Sequence, residues 1–325
     1  MPDNNIPRIL IQPLKPAVIA GVGQTLPVLI RVQAPDAEPT AKAEHRPYHL
    51  ALVIDRSGSM SGPPLAEAVR CARHIVDQLQ ATDSAALIVF DDRVQTLLPA
   101  RPVADRKALH LALSRVQSGG STNLHGGWQA GADSLLPDAG QAALARVILL
   151  SDGNANAGNI TDTAAIAALC AQAAERSVTT STYGLGRDFN EELMVEMARR
   201  GGGNHYYGDT AADLFEPFAE EFDFISALCA RQVRLSLAAA RGVRIRLLND
   251  YPVDGDAGIP VIRLPDIAFG AEAWALVELE IPAGLTVEGA GQLLQAAVTA
   301  STPEGALLAF ADATLTLPAI PVAAW

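Results

Sequence analysis

The sequence predicts an α/β fold with a doubly wound, mostly parallel sheet, joined to an all-β module. Between residues 48 and 229, short apolar runs alternate with segments whose apolar residues recur at helical spacing. This alternation is typical of a parallel sheet that helices cover on both faces. Beyond residue 229 the helical spacing stops, and six strand-like runs follow, separated by Gly, Pro and Asp. We therefore expect two architectures within one chain.

Length and composition narrow the classes of protein. The 325 residues exceed what one average core organises, and a hydrophobic fraction of 49% indicates a folded chain. The formal net charge is −12, and no run of basic residues occurs. Because affinity for a phosphate backbone comes from clustered Lys and Arg, these features exclude a nucleic-acid-binding protein.

The apolar content does not predict a membrane protein. No apolar stretch reaches the ~18 residues of a spanning helix, and the first residues lack the pattern of a secretory signal. Cys71, Cys170 and Cys229 lie singly in Ala- and Leu-rich segments. Buried thiols in a reducing compartment therefore explain them better than disulfides or a zinc site. We expect a cytoplasmic protein with no membrane span.

The N-terminal segment, residues 1–47, contains two predicted strands at residues 6–12 and 24–33, followed by a linker. Two strands alone cannot bury a hydrophobic face, so they need partners elsewhere in the chain. The all-β segment, residues 230–325, can supply them. We predict a β-sandwich formed from both segments, with an α/β domain of residues 48–229 inserted between them.

The α/β segment divides into five strands and six helices. The predicted strands are residues 50–54, 85–90, 146–150, 178–183 and 204–207. The predicted helices are residues 63–80, 105–116, 128–136, 161–176, 190–200 and 211–229. The strands predicted for the β module are residues 232–237, 243–248, 259–264, 273–281, 293–299 and 307–317.

Oxygen-bearing side chains follow two of the buried strands and open one of the helices. Asp55, Ser57 and Ser59 come after the first strand, Thr122 lies in a Gly-rich loop, and Asp152 follows the strand at 146–150. In parallel sheets, ligands bind outside the carboxyl ends of the strands. Hard oxygen donors gathered there suit a divalent cation. Taken singly, each of these residues could also cap a helix or form a turn.

The pattern Asp-x-Ser-x-Ser, followed by a Thr and an Asp-Gly, resembles the metal-ion-dependent adhesion site of von Willebrand factor A and integrin I domains. The resemblance covers about residues 48 to 228. It implies that Asp55, Ser57, Ser59, Thr122 and Asp152 hold one Mg2+, with Mn2+ or Ca2+ as alternatives. It further implies a non-enzymatic adaptor or scaffold, whose ion is completed by an Asp or Glu of a partner protein.

Two other functions stay open. The flanking strands also resemble bacterial relatives of inter-α-trypsin inhibitor heavy chains, some of which work beside AAA+ ATPases, proteases or kinases. An assembly role, through self-association or docking to such a system, is therefore the alternative. A Mg2+-dependent hydrolase is less favoured, because no nucleophile elbow surrounds the serines and Arg56 is the only basic residue in these loops.

Four further residues have less specific patterns. Asp91 ends a strand and could reach the ion through water, although a solvated strand end is the simpler expectation. His125 and Trp128 follow the Thr122 loop and could line a ligand-contacting rim or simply pack. His74 is expected on a helix surface.

Overall fold

A computed structural model describes residues 6–36, 47–136, 144–185, 190–255, 259–284, 291–303 and 305–321. The chain forms two compact units. One unit comprises residues 1–43 and 227–325, and the other comprises residues 44–226. Most of the predicted linker lies outside the described residues. None of the helices in these ranges is long and apolar enough to cross a membrane.

Three strands precede the α/β unit: β1 Arg8–Pro13, β2 Val18–Ile19 and β3 Gln24–Gln33. The α/β unit follows with β4 Tyr48–Asp55, α1 Pro63–Gln78, β5 Ser84–Phe90, β6 Val94–Pro102, α2 Arg106–Leu113, α3 Leu124–Leu135, β7 Leu144–Ser151, α4 Thr163–Glu175, β8 Val178–Leu185, α5 Glu191–Arg200, β9 Gly202–Gly208 and α6 Ala211–Ser226.

The sheet of the α/β unit has six strands in the order β6-β5-β4-β7-β8-β9. All neighbours pair in parallel except β6, which runs antiparallel to β5. Strands β5, β7 and β8 are buried along their whole lengths, as expected for strands covered on both faces. The predicted α/β fold is confirmed. The register aligns Asp55 with Phe90 and Ile54 with Leu150, so β4, β5 and β7 end together.

One strand of this unit was missed, and two predicted helix boundaries are wrong. Strand β6 was not predicted, because it is an edge strand with Gln, Thr, Arg and Pro among its residues and no buried face. Helix α3 begins at Leu124, four residues before the predicted start, because Asn123 caps it by accepting the Gly126 N–H. Helix α6 ends at Ser226, and Cys229 lies in the next strand. The apolar residues beyond Ser226 continue the helical pattern, so spacing alone cannot separate helix from buried strand.

The remaining strands are β10 Leu228–Ala239, β11 Arg244–Leu247, β12 Val253–Asp254, β13 Val261–Arg263, β14 Ile267–Ala268, β15 Glu272–Ile281, β16 Gln292–Ser301, β17 Leu307–Ala309, β18 Ala313–Thr316 and β19 Ala319–Ile320. They confirm the predicted β module. The run predicted as one strand over residues 307–317 is two strands, β17 and β18, and both pair with β16.

The N-terminal strands pair with strands from the other end of the chain. Strand β3 pairs antiparallel with β15 along all of its residues, from Gln24 opposite Ile281 to Gln33 opposite Glu272. The resulting sheet has the order β1-β3-β15-β11, and a second antiparallel sheet is built around β10 and β16. Buried residues of both sheets, including Ile30 of β3, belong to one hydrophobic cluster.

Candidate metal centre

Three loops meet where β4, β5 and β7 end. Backbone hydrogen bonds hold them together. The Gly58 N–H donates to the Gly120 carbonyl (2.8 Å), which joins the loop after β4 to the loop before α3. The Asn156 N–H donates to the Thr122 carbonyl (3.1 Å), which joins that second loop to the loop after β7. Four of the five predicted metal ligands lie on these three loops, and Asp55 is the last residue of β4.

Asp55 is fully buried at the end of β4, and hydrogen bonds orient its carboxylate. Its Oδ1 accepts the Ser57 N–H at 2.8 Å. Its Oδ2 accepts the hydroxyl of Ser151 at 2.6 Å. One donor lies on the loop after β4 and the other is the last residue of β7, so the side chain is held in one orientation.

The predicted hydroxyl ligands differ in exposure. Ser57 and Thr122 are buried, whereas Ser59 is exposed to solvent. The hydroxyl oxygens of Ser57 and Ser59 lie 3.2 Å apart. Thr122 is fixed through its backbone, because its N–H donates to the side-chain oxygen of Asn156 (2.8 Å) and its carbonyl accepts the Asn156 N–H. The hydroxyl groups thus lie on loops whose backbone is held in place.

Asp152 is nearly buried just beyond β7, and its Oδ1 accepts the Asn154 N–H at 3.1 Å. Its carbonyl accepts the Asn190 N–H (2.8 Å). The roles of Ser151 and Asn156 in this region were not predicted. Ser151 directly precedes Asp152, and Asn156 follows it by four positions. The sequence shows these two polar residues, but only the fold shows that they bind Asp55 and Thr122.

Asp55 and Asp152 are both buried in this region. Among the described residues, neither Asp55 nor Asp152 forms an ion pair with Lys, Arg or His. Burial raises the pKa of Asp55 to about 6, the hydrogen bonds from Ser151 and Ser57 lower it, and the charge of Asp152 raises it. A divalent cation would stabilise the ionised form of such a group.

The donor set fits Mg2+ better than it fits a softer ion. Two carboxylates and three hydroxyls are all oxygen donors, which hard cations prefer. Across the ranges that the structure describes, no group of three or more His, Cys, Asp and Glu side chains is arranged to hold a metal. The three loops contain no His or Cys, which are the usual ligands of zinc.

Asp91 is not a solvated strand end. It is buried, and its Oδ2 lies 3.1 Å from Nε of Arg56. Its carbonyl accepts the Asn123 N–H (2.8 Å), so it also supports the start of α3. A Cβ at Gly119 would lie 1.8 Å from its Oδ2. The loop before α3 therefore carries a glycine where it approaches the Asp91 carboxylate closely.

The structure also places the three other residues considered from the sequence, Trp128, His125 and His74. Trp128 is buried, and its indole N–H donates to Thr180 Oγ1 at 2.9 Å, so it packs and does not form a rim. His125 is half-buried. His74 is not a simple surface residue, because its ring stacks on Phe215 with 4.1 Å between centroids.

Comparison with known proteins identifies relatives of the α/β unit. The family model for the von Willebrand factor type A domain matches residues 49–221. An uncharacterised protein of Synechocystis sp. is 24% identical over 243 residues, which cover 72% of this chain and 57% of that protein. Inter-alpha-trypsin inhibitor heavy chain H2 of Sus scrofa is 28% identical over 184 residues, or 52% of this chain and 19% of that protein. The chain spans less than two thirds of either relative.

A solved structure covers both units. The von Willebrand factor type A structure from Catenulispora acidiphila aligns with a TM-score of 0.72 at 18% identity. The alignment covers 100% of this chain and 76% of that chain. At this identity the likeness shows a shared fold.

Proposed function

Because the chain belongs to the von Willebrand factor type A domain family, we propose that it is a non-enzymatic, metal-dependent protein-binding adaptor. Domains of this family are generally protein-interaction modules. Asp55, Ser57, Ser59, Thr122 and Asp152 would hold Mg2+, with Mn2+ or Ca2+ as alternatives. A partner protein would present an Asp or Glu to the ion.

The observation that carries the proposal is the buried Asp55 carboxylate. It lies where three hydrogen-bonded loops meet, beside the hydroxyl-bearing Ser57, and no ion pair within the described residues balances its charge. Burying an unpaired carboxylate costs several kcal/mol by order of magnitude. A bound cation would offset this cost.

The ion would supply a positive charge that binds an acidic group. Mg2+ takes about six oxygen ligands and keeps water where protein donors are missing. A donor set of hydroxyls with two carboxylates leaves the ion electron-poor. A carboxylate from a partner can therefore replace water and bridge the two proteins.

The direct test is removal of the first carboxylate. We expect Asp55→Ala to abolish Mg2+ binding measured by calorimetry and to abolish Mg2+-dependent capture of partners from the native cell. The matched control is Asp223→Ala, which removes an exposed carboxylate from α6 and should change neither result. Circular dichroism checks that both variants fold.

Three outcomes would contradict the proposal. The first is partner capture that is undiminished in Asp55→Ala or in excess chelator. The second is a Mg2+-dependent oligomer formed by the purified protein alone, which would favour the alternative role in self-association. The third is turnover of phosphate esters in the presence of Mg2+, which would favour a hydrolase.

A further inference from the structure

The last strand of the six-stranded sheet, β9, has an open edge. The strand pairs with β8 on one side, and no strand within the described residues pairs with its other side. Of its residues, Gly208 alone is buried, so the edge is accessible. The backbone N–H and C=O groups along such an edge can pair with a strand of another chain.

The two edges of this sheet differ in their protection against such pairing. The opposite edge strand, β6, contains Pro99 and Pro102, and its register with β5 shifts twice. Proline and irregular pairing keep an edge strand from recruiting another chain. Strand β9 contains no proline, lysine or arginine, and its pairing with β8 is regular from His205 onward. Burial lowers the pKa of His205, which favours the neutral ring. The sequence thus blocks the β6 edge and leaves the β9 edge able to pair.

Helix α5 lies beside the open edge and packs on both β8 and β9. Burial has the largest effect on the pKa of His205, but the charge of Glu191 raises it, which locates Glu191 on the β9 side of the helix. Val195 and Arg199 follow Glu191 at intervals of four residues, so the three side chains share one face. None of the three is buried. We call Glu191, Val195 and Arg199 the α5 stripe.

The α5 stripe is complementary to a copy of itself that runs in the opposite direction. With Val195 at the centre, Glu191 of one copy lies beside Arg199 of the other copy, and this pair occurs twice. Arg199 binds Glu196 of its own helix at 2.8 Å, but a guanidinium has five N–H donors and can bind a second carboxylate. Two antiparallel α5 helices thus form two ion pairs around an apolar contact.

Pairing of two β9 strands brings two α5 helices to the correct separation. An antiparallel pair related by a two-fold axis perpendicular to the sheet keeps both helices on the same face and makes them antiparallel. A helix that packs on both β8 and β9 lies over the space between them. Since adjacent strands are about 4.8 Å apart, the two α5 axes would lie about 10 Å apart. Packed helices are typically about 8–10 Å apart.

We propose that β9 and α5 form an interface between two copies of this chain, which joins their six-stranded sheets into one. A two-fold interface uses the same surface of each copy, and both the α5 stripe and the β9 edge meet this condition. The interface contains none of the proposed metal ligands, so the dimer forms with or without Mg2+. Because the strands of the two copies run in opposite directions, the two metal centres lie at opposite ends of the joined sheet. If the proposed adaptor function holds, the dimer connects two partner molecules.

Sedimentation velocity of the full chain tests the dimer. We expect a monomer–dimer equilibrium with the same dissociation constant in EDTA and in Mg2+. Glu191→Arg and Arg199→Glu should each raise that constant about tenfold, because each change acts at both ion pairs. The double variant Glu191→Arg/Arg199→Glu should restore the affinity. The matched control is Glu192→Arg, which reverses an adjacent exposed charge in the same helix turn but lies off the α5 stripe. Circular dichroism checks that the variants fold.

Amide exchange in the unmodified chain locates the contact independently of any substitution. Alternate amides of a β-strand face the same neighbour, so alternate amides of β9 should become protected as the protein concentration rises. The amides of β6, on the opposite edge of the sheet, should show no such change.

Four results would overturn the inference. Three of them are a monomer at every concentration, β9 amides that stay unprotected in a dimer, and unchanged affinity in both single variants. These three leave the metal proposal standing, because Mg2+ binding and its loss in Asp55→Ala are measured separately. The fourth is a dimer that requires Mg2+, which would place the contact at the metal centre and contradict both proposals.

Discussion

The hydroxyl of Ser151 has only one way to orient its proton. Its oxygen accepts the Gly153 N–H at 2.9 Å and lies 2.6 Å from Asp55 Oδ2. Because a carboxylate only accepts, the hydroxyl proton must point to Asp55. Ser151, which precedes the predicted ligand Asp152, therefore orients Asp55, a predicted ligand on the neighbouring strand β4.

We predict that Ser151→Ala weakens Mg2+ binding without unfolding the chain. Loss of a hydrogen bond to a metal-binding carboxylate typically costs about 10-fold to 100-fold in affinity. Calorimetric titration with Mg2+ would measure the effect. Ser114→Ala, which removes an exposed hydroxyl bonded to the Leu111 carbonyl, is the control and should leave the affinity unchanged. Equal affinities for the two variants would show that Ser151 does not support the site.

The types of the five candidate ligands could be predicted from sequence, but the residues that hold them in place could not. Asp55 and Asp152 follow apolar runs, and the carboxyl ends of parallel strands share one edge of a sheet. The partners of these loops, such as Asn156 for Thr122, depend on loop conformation. Sequence spacing carries no information on such contacts. Asp91 was misjudged for the same reason, since its partner Arg56 lies on another loop.

At the scale of elements, helix α3 packs closely on the sheet through its glycines. A Cβ at Gly131 would lie 2.5 Å from Cγ2 of Val53 in β4. A Cβ at Gly127 would lie 2.3 Å from the ring of Phe90 in β5. The helix that begins beside Thr122 is thus held at a distance that only glycine permits.

We predict that Gly131→Ala destabilises the α/β unit, although Ala favours helices by about 1 kcal/mol. Overpacking a rigid core costs about 1–3 kcal/mol, so the two effects leave a net loss of about 1 kcal/mol. Denaturant unfolding would measure the difference in free energy. Ser134→Ala, on the same helix, removes a hydroxyl that donates to the Gly131 carbonyl but raises helix propensity, and it should be close to neutral or stabilising. A more stable Gly131→Ala variant would contradict the close packing.

Helix α6 is attached to the sheet by a buried charge. Glu221 has no exposed side-chain area, and it pairs with Arg146 of β7. It also accepts hydrogen bonds from the Ser181 hydroxyl and from the Tyr183 hydroxyl, the latter at 2.5 Å. Burial and the nearby Glu221 raise the pKa of Tyr183, which keeps its hydroxyl protonated as a donor.

We predict that Glu221→Gln loosens α6. The change leaves Arg146 buried without its counter-charge, and breaking a buried pair costs about 3–5 kcal/mol. Hydrogen exchange over residues 211–226 should become faster, and the free energy of unfolding should fall. Glu220→Gln, at the adjacent exposed position, should change neither quantity. Unaltered exchange in Glu221→Gln would mean that apolar packing alone holds the helix.

Elements with a strong periodic pattern were predicted well, and the others were not. Buried strand β5 is a continuous apolar run from Ala85 to Phe90, bounded by polar residues, and its short length favours a strand. Strand β6 mixes polar and apolar residues, and none of them is buried. It forms a strand because it pairs with β5, which its composition does not reveal. The start of α3 depends on the Asn123 cap within a Gly-rich loop, where propensity favours a turn.

At the scale of the whole molecule, one hydrophobic cluster draws on both ends of the sequence. Ile30 of β3 is fully buried in a cluster that also contains Val277 of β15 and Leu235 of β10. The pairing of the N-terminal strands explains why two strands without local partners occur before the α/β unit. The domain boundaries that the sequence suggests, residues 1–47, 48–229 and 230–325, stay a prediction.

We predict that Ile30→Ala destabilises strands more than two hundred residues away. Large-to-small changes at buried sites cost about 2–5 kcal/mol. Amide exchange in β15 and β16 should therefore accelerate, whereas exchange in β7 of the other unit should not. Leu29→Ala, on the opposite and partly exposed face of β3, is the control. Unchanged exchange in β15 would contradict the shared core.

The pairing of β3 with β15 also sets an order of events during synthesis. Arg31 and Glu272, which form an ion pair across these strands, are 241 positions apart. A ribosome adds about 5–20 residues per second, so the first strand waits about 12–50 seconds for its partner. The α/β unit is complete before that partner emerges. During this interval β3 exposes an unpaired edge and an apolar face, and such an edge can pair with another chain until β15 is made.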